Sequence, residues 1–78
     1  MPLFYFDCTD DDGYHRDNEG SDLPSFEKAR DLALGLLPDF SRASLRSRER
    51  RKFSVTVRDH TGKTIYRATM TVRAKVLD

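Results

Sequence analysis

The sequence predicts an α+β domain in which one helix packs on a three- to four-stranded, mostly antiparallel sheet, in the order β(β)αββ. Three features predict it: an aromatic-rich start, one segment with helical spacing of apolar residues, and two late segments with apolar residues at every second position. A helix laid on one face of such a sheet buries the apolar side of both. Because 78 residues build one modest core, residues 1–78 are expected to be a single small domain.

The start of the chain predicts a strand over residues 3–8, with Phe4, Phe6 and Cys8 on the face that meets the helix. The acidic residues 10–13 end in a glycine and predict a turn. A short return strand is expected after that turn, followed by a second acidic loop.

The helix is predicted over residues 25–37, where Ser25 is suited to cap its first turn. Pro38 lacks a backbone N–H and clashes with the preceding turn, so we expect the helix to stop or kink near Leu37. The apolar residues that follow helical spacing are Phe26, Ala29, Ala33, Leu36, Leu37 and Phe40.

The last part of the chain predicts a hairpin whose second strand outlasts the first. A turn at residues 60–62 places Phe53 opposite about Met70, so residues 71–76 continue to alternate without a partner in that hairpin. Unpaired backbone groups along an apolar strand must be covered, and a second copy of the chain would cover them. We therefore expect a homodimer through strand edges, with a frayed C-terminal tail as the alternative. The expected self-association residues are Thr71, Val72, Arg73, Ala74, Lys75 and Val76.

Charge is distributed unevenly, although the net charge is only +1. Residues 1–39 hold ten acids against three bases, a net of −7, and residues 40–78 hold eleven bases against three acids, a net of +8. Such asymmetry predicts either a polyanion-binding face or two halves that attract each other within the fold.

Residues 42–52 form a basic connector that we interpret as exposed. A phosphate backbone is the ligand that such a cluster attracts. No aromatic residue lies within the connector and no recognition helix is evident, so a solvated connector is the simpler alternative. The candidate polyanion contacts are Arg42, Arg46, Arg48, Arg50, Arg51 and Lys52.

The acidic loop resembles a calcium loop in spacing alone. With Cys8 as its first position, Asp10 falls third, Asp12 fifth, Gly13 sixth and Glu19 twelfth. The first ligand would then be a thiol, and the preceding segment is a predicted strand where a calcium loop follows a helix. We expect a solvated turn and no bound metal.

No catalytic set is expected. Cys8, His15 and His60 lack zinc-type spacing, and no nucleophile, base and orienting group stand together. The four glycines are scattered, so no phosphate-binding loop or other cofactor site is predicted. One cysteine forms no internal disulfide, and no apolar run approaches the roughly 18 residues that span a membrane, so we expect a cytoplasmic, non-enzymatic protein.

Three short motifs together resemble a known family. They are Met1-Pro2-Leu3-Phe4-Tyr5-Phe6, Asp17-Asn18-Glu19-Gly20 with Leu23-Pro24 after it, and Phe53-x-Val55-x-Val57-x-Asp59-x-x-Gly62. The chain resembles a family of very small proteins of unknown function from alphaproteobacteria such as rhizobia. The resemblance implies the α+β fold and carries over no site residue. Pro38 and the basic connector depart from the family pattern.

Self-association through sheet edges is therefore the function that we expect for this small interaction module. Binding of RNA or DNA through the connector is the first alternative. The strand, acidic turn and Leu-Pro-led helix also resemble, more loosely, small antitoxin domains that mask a partner RNase, which makes partner binding the second alternative.

Overall fold

The computed structural model describes residues 2–11, 13–44 and 50–78. These residues hold one helix and five strands. The elements are β1 (Leu3–Asp10), β2 (Gly13–His15), β3 (Ser21–Asp22), α1 (Phe26–Ser44), β4 (Arg50–Arg58) and β5 (Thr64–Arg73).

The strands form one antiparallel sheet with the order β2-β1-β4-β5, and β3 pairs with the start of β1. Helix α1 lies on one face of this sheet and packs mainly against β4 and β5. The predicted α+β class is confirmed. The two-residue strand β3 escaped prediction because so short a segment carries no alternation.

The core lies between helix and sheet, on the predicted faces. Phe4 and Phe6 are 6% and 8% exposed while Leu3 is 37% exposed, which confirms the register of the first strand. Fully buried side chains of β4 meet the small and branched residues of the helix, and each large one stabilises the fold by roughly 1.5–3 kcal/mol. The buried apolar set is completed by Ala29, Ala33, Leu37, Phe53, Val55, Val57 and Ala68.

The helix runs through Pro38 to Ser44, so the predicted stop near Leu37 was wrong. Pro38 and Leu34, the residue whose carbonyl loses its helical partner, are both exposed. The Ser41 hydroxyl also donates to the Pro38 carbonyl at 2.9 Å, within the same turn. Apolar contacts beyond the proline, including edge-on packing of Phe40 against Phe53, hold the last turns on the sheet.

The second hairpin pairs Phe53 with Met70, as predicted. However, β4 begins at Arg50, inside the segment that was interpreted as a connector. Thr71, Val72 and Arg73 therefore pair with residues of β4, and the expected unpartnered overhang is wrong for these three. Residues 74–78 follow β5 without regular structure.

Among the described residues, no helix combines the length and the apolar character that crossing a membrane requires.

Candidate functional site

The sheet face opposite the helix carries polar side chains from β1, β2, β4 and β5. Strand alternation causes this, because every second residue of β4 points away from the core. The face forms a groove of about 560 Å³. Its lining residues are Asp7, Thr9, Tyr14, Arg16, Lys52, Ser54, Thr56, Arg58, Thr64, Arg67 and Thr69.

A buried ion pair lies at one end of this groove. Arg58 donates from Nε to Asp7 Oδ2 at 2.6 Å and from one terminal nitrogen to Asp7 Oδ1 at 3.1 Å. Asp7 is 2% exposed and Arg58 is 9% exposed, so both charges are largely removed from water. Two-point bonding between guanidinium and carboxylate fixes orientation as well as distance. The pair thus joins β1 to the end of β4.

Asp17 attaches the second acidic loop to the same pair. Its amide donates to Asp7 Oδ1 at 2.9 Å, and its carbonyl accepts from Arg58 at 2.8 Å. Its carboxylate accepts from the amides of Phe6, Glu19 and Gly20 at 3.0–3.1 Å. One aspartate therefore closes its own loop and holds that loop on β1. We call Asp7, Asp17 and Arg58 the anchor cluster.

Tyr5 completes the packing around the anchor cluster. The Arg58 guanidinium lies 4.9 Å from the centroid of its ring, within the range of a cation–π contact. Gly20 also lies against the Tyr5 ring. A Cβ added at Gly20 would stand 2.9 Å from Tyr5 Cε2. Gly20 also has a φ of 78°, which disfavours any side chain. The Asp17-Asn18-Glu19-Gly20 motif thus has a structural reason for its first and last residues.

Hydrogen bonding decides the charge states of the anchor cluster. Burial alone would raise the pKa of Asp7, but bonds from Arg58, the Asp17 amide and Tyr14, together with the Arg58 charge, lower it. Burial likewise opposes ionisation of Asp17, yet the amides of Gly20, Phe6 and Glu19 lower its pKa. Both carboxylates are therefore ionised at neutral pH, as the buried Arg58 requires.

Cys8 is not activated as a nucleophile. Burial raises the pKa of its thiol, and the nearby charges of Asp7 and Asp17 raise it further. Its thiol is therefore protonated at neutral pH. Among the described residues, Cys8, His15 and His60 form no group that could hold a metal ion. His15 instead packs edge-on against Phe40, with the ring centroids 5.9 Å apart.

The acidic residues of the predicted calcium loop have different partners. The Asp10 carboxylate accepts from the Gly13 amide at 2.9 Å, and the Asp11 carboxylate lies 3.5 Å from Arg51. Asp12, the third acid of that prediction, lies outside the described residues.

The connector residues do not form one exposed patch. Arg51 is 1% exposed, and its side chain lies over the Phe53 ring and forms ion pairs with Asp10 and Asp11 at 3.8 and 3.5 Å. The interpretation of Arg51 as part of an exposed connector was therefore wrong. Arg42 lies on the helix and contacts Asp39 at 3.3 Å, while Lys52 is exposed on the groove.

The remaining residues predicted for polyanion binding or self-association lie in different parts of the chain. Arg46 and Arg48 lie outside the described residues, and Arg50 is placed by its backbone pairing with Arg73. Of the expected self-association residues, Thr71, Val72 and Arg73 lie in β5, and Ala74, Lys75 and Val76 are exposed after it.

Sequence reasoning missed the anchor cluster as a site. Asp7 carried a usable signal, since it is an acid inside an otherwise aromatic strand, on the face opposite Phe6. Asp17 and Gly20 belong to the motif that carries the resemblance. Arg58 carried no such signal in the sequence, because a basic residue at the end of a strand is common.

The geometry defines a small α+β domain with a buried ionic anchor beneath an uncovered polar sheet face. The DUF6894 family, a domain of unknown function, matches residues 3–71, and the chain belongs to it. This confirms the expected domain of unknown function, while its alphaproteobacterial origin stays a prediction. Neither a curated protein nor a solved structure matches the chain.

Proposed function

We propose that this domain is a non-catalytic interaction module that self-associates through the outer edge of β5. One observation carries the proposal: β5 is ten residues long and lies at the end of the strand order. Its inner side pairs with β4 along nearly its whole length. A long edge strand exposes a row of backbone donors and acceptors that favours pairing with another strand.

Apolar side chains around this edge support a second copy as the partner. Met70 and Val72 are only half-buried on the helix side, and beyond β5 Val76 and Leu77 are 86% and 88% exposed. An antiparallel pair of β5 strands would cover this apolar surface symmetrically and would continue the sheet.

Charge on β5 predicts how the dimer responds to salt. Arg67 and Arg73 are exposed, and an antiparallel pair centred near Met70 would place Arg67 of one strand opposite Arg73 of the other. Like charges in contact oppose association, and salt screens them. Added salt reduces this repulsion and does not weaken the burial of apolar surface. Dimerisation is therefore expected to strengthen as the salt concentration rises.

Light scattering tests the proposal. At tens of micromolar we expect a mass of twice 9.0 kDa, increasing toward a complete dimer with added salt. A chain ending at Arg73 retains every residue of β5, so it tests the exposed tail without removing a paired strand. The double variant Val76→Asp, Leu77→Asp should weaken the dimer, whereas Leu32→Asp, an exposed helix position, should not. A monomer under all these conditions would contradict the proposal.

A proline pair tests the edge itself. Successive N–H groups of an edge strand point alternately inward and outward, so Thr69→Pro and Met70→Pro remove donors on opposite sides of β5. We expect one variant to lose stability, because its N–H bonds β4, and the other to remain folded as a monomer. Two folded dimers, or two folded monomers, would disagree with edge pairing.

Partner masking of the antitoxin type uses the same edge with a strand from another protein. A folded monomer that forms a one-to-one complex with the product of an adjacent gene would favour it over self-association. The cytoplasmic location stays an expectation from the sequence.

A further inference from the structure

We propose that the open face of the sheet binds single-stranded nucleic acid, with phosphates held by Arg16, Lys52 and Arg67 and a base stacked on Tyr14. The surface shares only Lys52 with the predicted connector. It does not depend on self-association, because the groove uses a face of the sheet while β5 pairing uses an edge.

The exposed charged side chains that line the groove are all positive. Asp7 and Arg58 cancel within the groove, which leaves Arg16, Lys52 and Arg67 as its exposed charges. In the part of the chain that the structure describes, none of these three forms an ion pair. They follow β2 and lie on β4 and β5, so they surround the groove. A concave surface with one sign of charge attracts a polyanion.

Hydroxyl groups between these cations supply the second argument. Ser54 and Thr69 are within hydrogen-bonding distance across the strands, at 3.2 Å, and Thr56 accepts from Arg67 Nε at 3.3 Å. Hydroxyls and guanidinium groups donate to phosphate oxygens, and such contacts fix the position of a nucleic-acid strand without reading its sequence. The Arg67 side chain is thus already oriented along the groove.

Tyr14 supplies the third argument, and it distinguishes a nucleic acid from an acidic protein. Its side chain lines the groove and the residue is 57% exposed, so the ring is accessible to a ligand on this face. An exposed aromatic ring on the face of an antiparallel sheet is a stacking platform for an unpaired base. An acidic peptide has charge but no base to stack.

Fluorescence anisotropy with a labelled oligouridylate of about twelve nucleotides tests the proposal. We expect saturable binding at low salt that weakens as salt rises, the opposite of the response expected for the dimer. Replacing Arg16, Lys52 and Arg67 by Ala should reduce the slope of log affinity against log salt by about two. Tyr14→Ala should weaken binding about tenfold, whereas Tyr14→Phe keeps the ring and should bind close to wild type.

A control triple variant removes the same charge from the opposite side of the domain. Lys28, Arg30 and Arg42 are exposed on the helix, and their replacement by Ala should leave affinity nearly unchanged. Circular dichroism checks that each variant is folded. The proposal would be overturned by absence of saturable binding at low salt, by equal losses in the two triple variants, or by wild-type affinity in Tyr14→Ala. Equal competition by poly-glutamate would assign the face to an acidic protein, which also overturns it.

Discussion

Two arginines of β4 are both buried, but they bond in different ways. Arg58 lies on the open face and makes hydrogen bonds of 2.6 and 3.1 Å to Asp7 and 2.8 Å to the Asp17 carbonyl. Arg51 lies on the helix side, over Phe53, and its ion pairs with Asp10 and Asp11 span 3.8 and 3.5 Å. Short, directed bonds and longer charge attraction therefore occur seven residues apart in one strand.

The difference indicates different roles for the two ends of the sheet. At the Arg58 end, a cation joins two strands and a loop through bonds whose geometry admits few substitutes. At the Arg51 end, the aliphatic stem packs like a hydrophobic residue while its charge attracts the first acidic turn. We infer that the Arg58 end fixes the fold through directed bonds, and that the Arg51 end contributes packing together with charge attraction to the first acidic turn.

Replacing Arg58 by Met is expected to have the largest effect on stability. The change leaves the buried carboxylate of Asp7 without its cation, and breaking a buried pair from one side costs about 3–5 kcal/mol. Urea denaturation of the variant and of wild type measures the loss. Arg67→Met removes a cation from the same face at an exposed position and should change stability by less than about 0.5 kcal/mol. Equal losses of stability in Arg58→Met and Arg67→Met would show that the buried ion pair contributes no more than an exposed cation.

Acid is expected to destabilise the domain through the anchor cluster. The pKa values of Asp7 and Asp17 are lowered in the folded state, so the unfolded chain, with carboxyl pKa near 3.9, binds protons more readily. Stability is thus complete above the unfolded pKa, and it falls as pH drops below about 4 through the lowered values. Urea midpoints between neutral and strongly acidic pH measure this, and Asp17→Asn should show a shallower decline. A flat profile would contradict the ionised cluster.

Gly20→Ala tests the contact between the second loop and the anchor cluster. The new Cβ would meet Tyr5 at 2.9 Å and would also occupy a φ of 78°, which costs about 1–2 kcal/mol by itself. Gly62→Ala is the matched control, since its φ is 89° and nothing lies within 4 Å of its Cβ. We expect Gly20→Ala to destabilise more than Gly62→Ala in thermal denaturation. The reverse order would show that the ring contact is unimportant.

Replacing Arg51 by Met is expected to cost less than replacing Arg58, about 1–2 kcal/mol. A Met side chain of similar length can retain the contact with Phe53, and the ion pairs that it removes are long. Urea denaturation beside Arg58→Met gives the comparison. A loss as large as that of Arg58→Met would place the stronger anchor at this end.

The sequence was sufficient for the fold class, for the core-facing side of the first strand and for the register of β4 with β5. Alternation in residues 53–58 and 66–72 identified Val55, Val57 and Ala68 as core, and the turn at Gly62 aligned Phe53 with Met70. It was insufficient at the helix end, because local propensity at Pro38 is outweighed by packing farther along the chain.

Charged residues were the main source of error. A run of bases after the helix indicated solvent exposure, yet strand pairing turns Arg51 toward the core, where acids from the distant first turn reach it. The anchor cluster was missed for the same reason, since Asp7, Asp17 and Arg58 meet only through the tertiary fold. The signal available in advance was the acid at position 7, inside an aromatic strand.

A double-mutant cycle on Asp7 and Arg58 tests the central claim most directly. Unfolding free energies of wild type, Asp7→Asn, Arg58→Met and the double variant give the coupling between the two side chains. We predict a coupling of about 2–3 kcal/mol, with the double variant little less stable than Arg58→Met alone, and a clearly smaller coupling for Asp11→Asn with Arg51→Met. Additive losses at Asp7 and Arg58, or equal couplings at the two ends of β4, would contradict the account.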